Sequence, residues 1–244
     1  MSHPEQLQFV KSIASGTGIE QKIRDLKVIE IGSYDVNGSI RKLLPSQYYT
    51  GVDLIQGPGV DLVSEGGAVD HPDNTYHLSI SCECFEHNPQ WSQTFHNMWR
   101  MTQPGGGVLF TCATTGRPEH GTTRTTPEQS PGTISQNWDY YQNLTEEDFR
   151  KAFNLDELFS CYFFMVNPRS KDLYFFGHKA GANPSFKPAD QELQKKCEQD
   201  QKILYDLMVS RKKKEKLIPK PIRPLTRLLF DRPSDYNKNN IINF

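Results

Sequence analysis

The chain has 244 residues, of which 36% are hydrophobic and 23% are charged, and its formal net charge is −1. This composition is typical of a globular protein with a sizeable core, and it argues against a disordered or fibrous chain. No apolar run approaches the ~20 residues that a membrane helix needs, and the first residues lack the apolar region of a signal peptide. The sequence therefore predicts a cytoplasmic protein that has no membrane partner.

The five cysteines are odd in number and most of them lie in apolar runs, which predicts reduced thiols in the core. Cys82 and Cys84 form the only close pair. A zinc site built on cysteine would need a second pair nearby, and the sequence has none. The cysteine pattern therefore predicts no metal site.

Strand-like and helix-like segments alternate along the first 180 residues. In chain order, the pattern predicts two short helices, a strand at 27–31, a helix at 38–44, a strand at 48–53, a short strand or turn at 60–63, a strand at 77–81, a helix at 91–101 and a strand at 108–113. A polar loop at 114–143 follows, and a loop of that length is usually functional or a lid. Thr145 begins a helix, and two aromatic-rich strands at 159–166 and 173–177 form an antiparallel hairpin. These elements predict an α/β fold with a mostly parallel sheet and one antiparallel edge.

A Gly-Ala-Asn-Pro-Ser segment divides the chain into predicted domains at 1–182 and 183–244. The second domain begins with a long helix over 188–216, and three prolines from Pro219 to Pro224 forbid its continuation. From Lys195 to Arg232 there are twelve Lys or Arg against five Asp or Glu, a local charge of +7. The apolar stripe of this helix predicts docking on the domain, on a second copy or on another partner. Its basic charge leaves nucleic acid open as a partner.

The strongest chemical signal lies between Val28 and Ser39. A buried strand ends in Gly32, the chain turns, and the predicted helix offers free N–H groups at its start, an arrangement suited to an anionic or polar ligand. Asp53 stands at the tip of the next strand, where a carboxylate accepts both ribose hydroxyls of a nucleoside. The pattern thus predicts a nucleoside site.

Two common nucleotide-binding motifs do not fit this segment. The dinucleotide fingerprint started at Gly32 would need glycine at Tyr34 and at Asn37. A Walker phosphate loop is excluded because no Gly-Lys pair occurs in the chain.

Residues 28–39 do resemble motif I of the class I S-adenosylmethionine-dependent methyltransferases, in particular the type 11 methyltransferase-domain family. Further segments at 51–54, 73–76, 81–87 and 99–106 resemble later motifs of that family, in the same order. Tyr34 replaces the second glycine of motif I, and His77 replaces the usual aspartate of a later motif. The resemblance implies a Rossmann-like fold with a mostly parallel seven-stranded sheet, an antiparallel C-terminal hairpin edge and a helical C-terminal extension.

The resemblance also implies S-adenosylmethionine as the cofactor. Glu30 would contact the methionine amino end, Asp53 the ribose and Leu54 the adenine, with Glu65 and Gly66 at the adenine edge. The complete predicted cofactor set is Glu30, Gly32, Ser33, Asp53, Leu54, Glu65, Gly66 and Glu83.

His87 comes just after the predicted strand at 77–81, near the expected position of the methyl group. An imidazole there is suited to remove a proton from a hydroxyl or ammonium acceptor, so His87 is the candidate catalytic base. The alternative is that this histidine only shapes the cofactor pocket, as it often does in the family.

Four residues of the long loop are candidates for binding the acceptor. Arg117, Glu119 and His120 combine charge and imidazole in a loop at the carboxyl edge of the sheet, and Tyr140 belongs to an aromatic wall or lid. The alternative is a solvated loop with internal salt bridges and ordinary aromatic packing.

The sequence thus predicts a methyltransferase that acts on a small-molecule or sugar-like acceptor, most readily at oxygen. A second hypothesis is a nucleic-acid or protein methyltransferase that uses the basic C-terminal tail as a docking arm. A third hypothesis is a non-catalytic scaffold with the same fold, to which the departures at Tyr34 and His77 point.

Overall fold

A computed structural model describes residues 3–217, and the side chains of residues 3–212. This part of the chain contains seven strands, and each strand coincides with an apolar segment of the sequence. They are β1 (Lys27–Ile31), β2 (Tyr48–Asp53), β3 (Leu62–Val63), β4 (Tyr76–Cys82), β5 (Thr102–Ala113), β6 (Phe159–Asn167) and β7 (Asp172–Lys179). The predicted strands are therefore present, although β3 is shorter than the predicted 60–63.

All seven strands form one sheet in the order β3-β2-β1-β4-β5-β7-β6. The pairs among β1 to β5 are parallel. β7 pairs antiparallel with both β5 and β6. A short turn permits the β6–β7 hairpin, and the parallel pairs require crossovers over a face of the sheet. This order and these directions confirm the Rossmann-like class I methyltransferase fold.

The helices of the chain differ greatly in length. They are α1 (Pro4–Thr17), α2 (Ile19–Lys22), α3 (Trp91–Met101), α4 (Pro131–Ser135), α5 (Glu146–Ala152), α6 (Leu155–Leu158) and α7 (Gln191–Leu217). The bounds of α3 agree with the prediction. α5 follows directly on Thr145, as predicted, and the Thr145 N–H donates to Asp148 Oδ2 at 2.8 Å in a capping box.

The predicted helix at 38–44 was wrong, since this segment has only a 3₁₀ turn at Ile40–Lys42. Gly38 has φ +140°, and its N–H donates to Asp35 Oδ1 at 2.6 Å. A turn closed by an aspartate side chain replaces the first helical hydrogen bonds, and Pro45 prevents an extension. Residues 32–47 between β1 and β2 are all described by the structure, and no α-helix begins among them.

Two apolar clusters pack on opposite faces of the sheet because neighbouring strand residues point to opposite sides. Val28 of β1 belongs to the cluster under α1, and Ile29 belongs to the cluster under α3. On the first face, the Phe9 ring stacks on Tyr174 with centroids 4.6 Å apart. On the second, Phe110 stacks on Phe149 at 4.5 Å.

The first compact unit of the chain spans Met1–Gln201. It includes the start of α7, where Leu193 and Cys197 are buried in the cluster with α1. The predicted boundary between 1–182 and 183–244 and the docking role of 188–216 stay predictions. The proline-containing segment that begins at Pro219 lies outside the described residues. Within residues 3–217, no helix has both the length and the apolar composition that crossing a bilayer requires.

Candidate active site

A cleft opens at the carboxyl ends of β1, β2 and β4, where an open α/β sheet binds its ligands. Each of these strands ends in a turn whose residues face the same space. The cleft is lined by Gln6, Glu30, Ile31, Gly32, Ser33, Tyr34, Val36, Asn37, Gly38, Ser39, Asp53, Leu54, Ser64, Gly66, Cys82, Glu83, Cys84, His87, Asn88, residues 129–133 and Trp138. Most of the predicted cofactor residues are therefore brought together in one place.

Gly32 ends β1 in a left-handed conformation with φ +84°. Its N–H donates to the Val52 carbonyl at 2.9 Å, which holds the turn against β2. A Cβ atom here would lie 2.8 Å from Cys84 Cβ. Both the conformation and the close approach require glycine, so this turn leaves backbone open to the cleft.

Tyr34 occupies the position where the family motif has its second glycine. Its ring lies against Gly57, where an added Cβ would approach Tyr34 Cε2 to 2.1 Å. Its N–H donates to Asp53 Oδ2 at 3.0 Å. The tyrosine therefore fills space opposite a glycine in the loop after β2 and keeps the turn in contact with Asp53.

Asp53 is held at the tip of β2 by two backbone donors. Its Oδ2 accepts from Tyr34, and its Oδ1 accepts from the Leu54 N–H at 2.8 Å. A carboxylate has about four acceptor positions, so two lone pairs stay open toward the cleft. Burial raises the pKa of Asp53, and the two backbone hydrogen bonds oppose that rise.

Glu30 is buried, with 4% of its surface exposed, and its Oε2 accepts from the Tyr49 hydroxyl at 2.7 Å. Burial raises its pKa from 4.5 to about 7, although the Tyr49 hydrogen bond and the Arg41 charge oppose that rise. A second cation placed near this carboxylate would favour its ionised form. The predicted contact with an amino group is thus electrostatically suitable.

We expect Glu30→Gln to be more stable than the original chain at pH 8, with the difference vanishing near pH 4.5. The folded pKa lies above the unfolded value, so ionisation destabilises the folded state as the pH rises from 4.5 through about 7. At ~1.4 kcal/mol per pKa unit, discounted for relaxation, the gain is ~2 kcal/mol. Urea unfolding at both pH values measures it, and an equal difference at both would contradict the pKa shift.

Glu83 follows β4 with φ +53°, a strained conformation for a residue with a side chain. Its Oε1 accepts from the Thr111 hydroxyl at 2.9 Å, and its Oε2 lies 3.6 Å from His3 Nε2. The same His3 nitrogen lies 3.0 Å from Asp172 Oδ2. The imidazolium of His3 thus joins α1 to two buried carboxylates beside the cleft.

His87 lies in the 3₁₀ turn Phe85–His87 and lines the cleft with 4% of its surface exposed. Burial lowers its pKa from 6.5 to about 3, so the imidazole is neutral at pH 7. His120 and Tyr141 pack against it, with ring centroids 4.9 and 5.5 Å from that of His87. His120, one of the predicted acceptor residues, therefore packs against the predicted base but is not part of the described lining of the cleft.

None of the four predicted acceptor residues belongs to the described lining of the cleft, and the other three make bonds within the protein. Arg117 Nη1 donates to the Ser170 carbonyl and to Asp172 Oδ1, the latter at 3.2 Å. Glu119 accepts from Thr122 at 2.6 Å and pairs with Arg124. The Tyr140 hydroxyl donates to Gln142. Their role in recognition stays a prediction: Glu119 and Tyr140 bond within the loop, and Arg117 bonds to the β6–β7 hairpin.

Several lining residues were missed by sequence reasoning. Gln6 comes from α1, and residues 129–133 include the start of α4. Trp138, in contrast, belongs with Tyr140 to the predicted aromatic wall or lid, and it lines the cleft just after α4. Gly132 approaches Asp53 so closely that a Cβ would lie 2.8 Å from Oδ1. The loop thus forms one wall of the cleft. Glu65 is absent from the described lining, although its neighbours Ser64 and Gly66 belong to it.

The sequence matches no family model and no curated protein. Among solved structures, it is similar to the YcgJ protein from Bacillus subtilis, with 10% identity, a TM-score of 0.47, and 70% of this chain and 99% of that chain covered. The complex of the Haloferax volcanii Trm112 methyltransferase activator with a methyltransferase gives 12% identity, a TM-score of 0.48, and 73% and 91% coverage. Phosphoethanolamine N-methyltransferase 2 from Haemonchus contortus, in complex with S-adenosylhomocysteine, gives 12% identity and a TM-score of 0.46, with 64% of this chain but 49% of that chain covered. These likenesses concern the fold and not the substrate.

Proposed function

We propose that the chain is an S-adenosylmethionine-dependent methyltransferase that acts on an oxygen of a small-molecule or sugar-like acceptor. The observation that carries this proposal is the pairing of the Gly32 turn with the Asp53 carboxylate at the carboxyl edge of the sheet. Ligands of open α/β sheets bind at this edge, and a strand-tip carboxylate binds ribose hydroxyls.

The cleft offers what a cationic, polar nucleoside needs. Ser33 Oγ and Gln6 Oε1 are buried in the lining, and neither has a hydrogen-bond partner among residues 3–217. A ligand that supplies donors and acceptors there removes the cost of leaving these atoms unpaired. The carboxyl groups of Glu30 and Asp53 also line the cleft and favour a positively charged ligand.

Seven of the eight predicted cofactor residues line the cleft, all except Glu65, and a role is proposed for each of the seven. Glu30 is proposed to bind the methionine amino group, Asp53 the two ribose hydroxyls and Leu54 the adenine. The Gly32–Ser33 backbone would lie under the methionine part. Gly66 stands at the adenine end, and Glu83 faces the centre of the cleft.

Bound S-adenosylmethionine would supply a methyl group that is attached to a sulfonium. The sulfur leaves as a neutral thioether, so its departure needs no acid. The chain's part is to orient the acceptor oxygen in line, which contributes ~7–11 kcal/mol in well-oriented reactions. The acceptor hydroxyl also loses its proton, and His87 is the candidate base on the cleft wall. Because efficient bases have a pKa near the working pH, an imidazole with a pKa of about 3 is a weak one. Positioning therefore supplies most of the proposed acceleration.

Titration of the full chain with S-adenosylmethionine and with S-adenosylhomocysteine, by calorimetry, tests the proposal. We expect one site per chain for each ligand. A ligand at ~100 times its dissociation constant should also stabilise the fold by ~2.7 kcal/mol, which thermal unfolding measures independently. If the folded protein bound neither ligand, the methyltransferase proposal would fail.

The acceptor class needs a separate assay. Methyl-labelled S-adenosylmethionine is incubated with the protein and a cell extract that filtration has divided into small molecules and macromolecules. The proposal expects label in the small-molecule fraction, in a product stable to mild base as an ether is. Label confined to nucleic acid or protein would favour the docking-arm hypothesis, and binding without transfer to either fraction would favour the scaffold.

A further inference from the structure

Three side chains with metal-ligand chemistry meet beside the cofactor cleft. Glu86 and His87 are neighbours in the 3₁₀ turn after β4, and His120 comes from the long loop after β5. One ligand atom from each lies within 4.8 Å of the others. The two imidazole rings are nearly perpendicular, at 88°. We name these three residues the Glu86–His87–His120 cluster.

The polar atoms of this cluster are buried and lack partners. Both carboxyl oxygens of Glu86, Nδ1 of His87 and Nε2 of His120 have no hydrogen-bond partner within the described residues 3–217. Glu86 has 0% of its surface exposed, so bulk water does not solvate its carboxyl group. Buried polar groups without partners cost free energy. Such a group of donors in one place indicates a missing ligand.

The hydrogen bonding of His120 fixes which nitrogen can bind that ligand. Its Nδ1 lies 3.1 Å from the Pro118 carbonyl oxygen. A carbonyl only accepts, so Nδ1 carries the proton and Nε2 has the free lone pair. Metal-binding histidines commonly donate their second nitrogen to a backbone carbonyl in this way. The ring is thus oriented as a metal ligand.

The backbone next to His120 is shaped for this approach. Gly121 has φ +68°, and a Cβ atom there would lie 2.6 Å from His87 Cε1. Only glycine allows the loop to bring His120 this close to His87.

A second group of possible ligands, His3 with Glu83 and Asp172, differs in its charge. Burial lowers the pKa of His3, but the carboxylates of Asp172, Glu5 and Glu83 outweigh this effect and raise the pKa to about 11. His3 is therefore itself the cation that neutralises the two acids, at 3.0 Å from Asp172 and 3.6 Å from Glu83. This group needs no metal.

We propose that Glu86, His87 and His120 bind one divalent transition-metal ion beside the cofactor cleft. Two imidazoles and one carboxylate suit Zn²⁺, Fe²⁺, Co²⁺ or Mn²⁺ and leave coordination positions open. Ligands at ~2.1 Å from a tetrahedral ion stand ~3.4 Å apart, a separation compatible with the 4.8 Å within which the three ligand atoms lie of one another. This inference departs from the expectation of no metal, which rested on cysteine spacing alone.

The proposal is independent of the cofactor, and it changes the role of one residue. A His87 whose free nitrogen binds a metal cannot remove a proton from an acceptor. The ligand role and the base role are therefore alternatives, and metal loading of the protein distinguishes them. Because His87 also lines the cleft, the ion's open positions would be available to an acceptor oxygen if the proposed methyl transfer is correct.

Cobalt titration of the full chain tests the site directly. The protein, prepared without a histidine tag, is stripped with a chelator and titrated with Co²⁺ while visible absorption is recorded, without S-adenosylmethionine. We expect d–d bands that saturate at one Co²⁺ per chain and disappear when Zn²⁺ competes. Zn²⁺ should also raise the melting temperature.

Three variants test the position of the ion, and a fourth variant serves as a matched control. Glu86→Gln, His87→Asn and His120→Asn should each weaken Co²⁺ binding at least ~100-fold, because each removes a ligand. His96→Asn changes an exposed histidine on α3 and should bind Co²⁺ like the original chain. Circular dichroism confirms that each variant is folded. Absence of bands in the original chain, or equal binding by the Glu86→Gln and His120→Asn variants, would overturn the proposal whatever the outcome of the cofactor titrations.

Discussion

Replacement of Asp53 by alanine is expected to weaken S-adenosylmethionine binding at least ~100-fold. Hydrogen bonds to a charged acceptor contribute ~1.5–3 kcal/mol each, and the open lone pairs of this carboxylate are placed to accept two ribose hydroxyls. The loss of both exceeds the ~2.8 kcal/mol that corresponds to two powers of ten in the dissociation constant. Calorimetric titration of the variant with S-adenosylmethionine measures the change.

The control for this variant must separate binding from folding. Asp53 also accepts the N–H groups of Tyr34 and Leu54, so its removal loosens two turns of the cleft. Asp70→Ala removes an exposed acid outside the described lining and should leave the affinity unchanged. Thermal unfolding without ligand reports any loss of stability. A folded Asp53→Ala protein with the original affinity would show that the ribose lies elsewhere.

The side of the cleft formed by the ends of β1 and β2 could be predicted from the sequence because its signals are local. An apolar run that ends in Gly32 marks the end of β1, and the same argument places Asp53 at the end of β2. Parallel neighbours in a sheet bring such strand ends to one edge. The residues on this edge are therefore adjacent in space, although 21 positions separate Gly32 from Asp53 in the sequence.

The helix after β1 could not be predicted correctly because two local signals conflict. Residues 38–44 contain apolar positions with helical spacing, and a proline stops them. The Asp35 side chain instead binds the Gly38 N–H and closes a turn. Aspartate competes with helical hydrogen bonding in this way, and a short segment before Pro45 has few hydrogen bonds to gain from a helix.

The loop and the N-terminal helix contribute groups that have no signature in the sequence. Gln6 and Gly132 reach the cleft from elements far apart along the chain, and no spacing rule connects them with β1 or β4. Arg117 illustrates the same difficulty. Its position in a charged loop next to the predicted cleft suggests a contact with a ligand, but its guanidinium group bonds to Asp172 at the start of β7. Only the tertiary arrangement decides which charges face a ligand.

Removal of His3 should destabilise the fold by ~3 kcal/mol near pH 6. The imidazolium lies beside two carboxylates with 0% side-chain exposure, Glu83 and Asp172. Breaking a buried ion pair from one side costs ~3–5 kcal/mol, and the Arg117 charge beside Asp172 reduces that cost. Urea unfolding of His3→Gln measures the difference, with the exposed His96→Gln as the matched control.

The pH dependence of this difference identifies the charge as its cause. The folded pKa of His3 is raised from 6.5 to about 11, so its stabilisation is fully present below pH 6.5 and is lost as the pH rises through about 11. The glutamine in the His3→Gln variant does not titrate, whereas all other groups titrate in both proteins. The difference in unfolding free energy should therefore shrink between pH 7 and pH 10. A difference that stays constant across this range would mean that His3 contributes packing and hydrogen bonds rather than a positive charge, and that the two carboxyl groups beside the cleft are neutralised by other means.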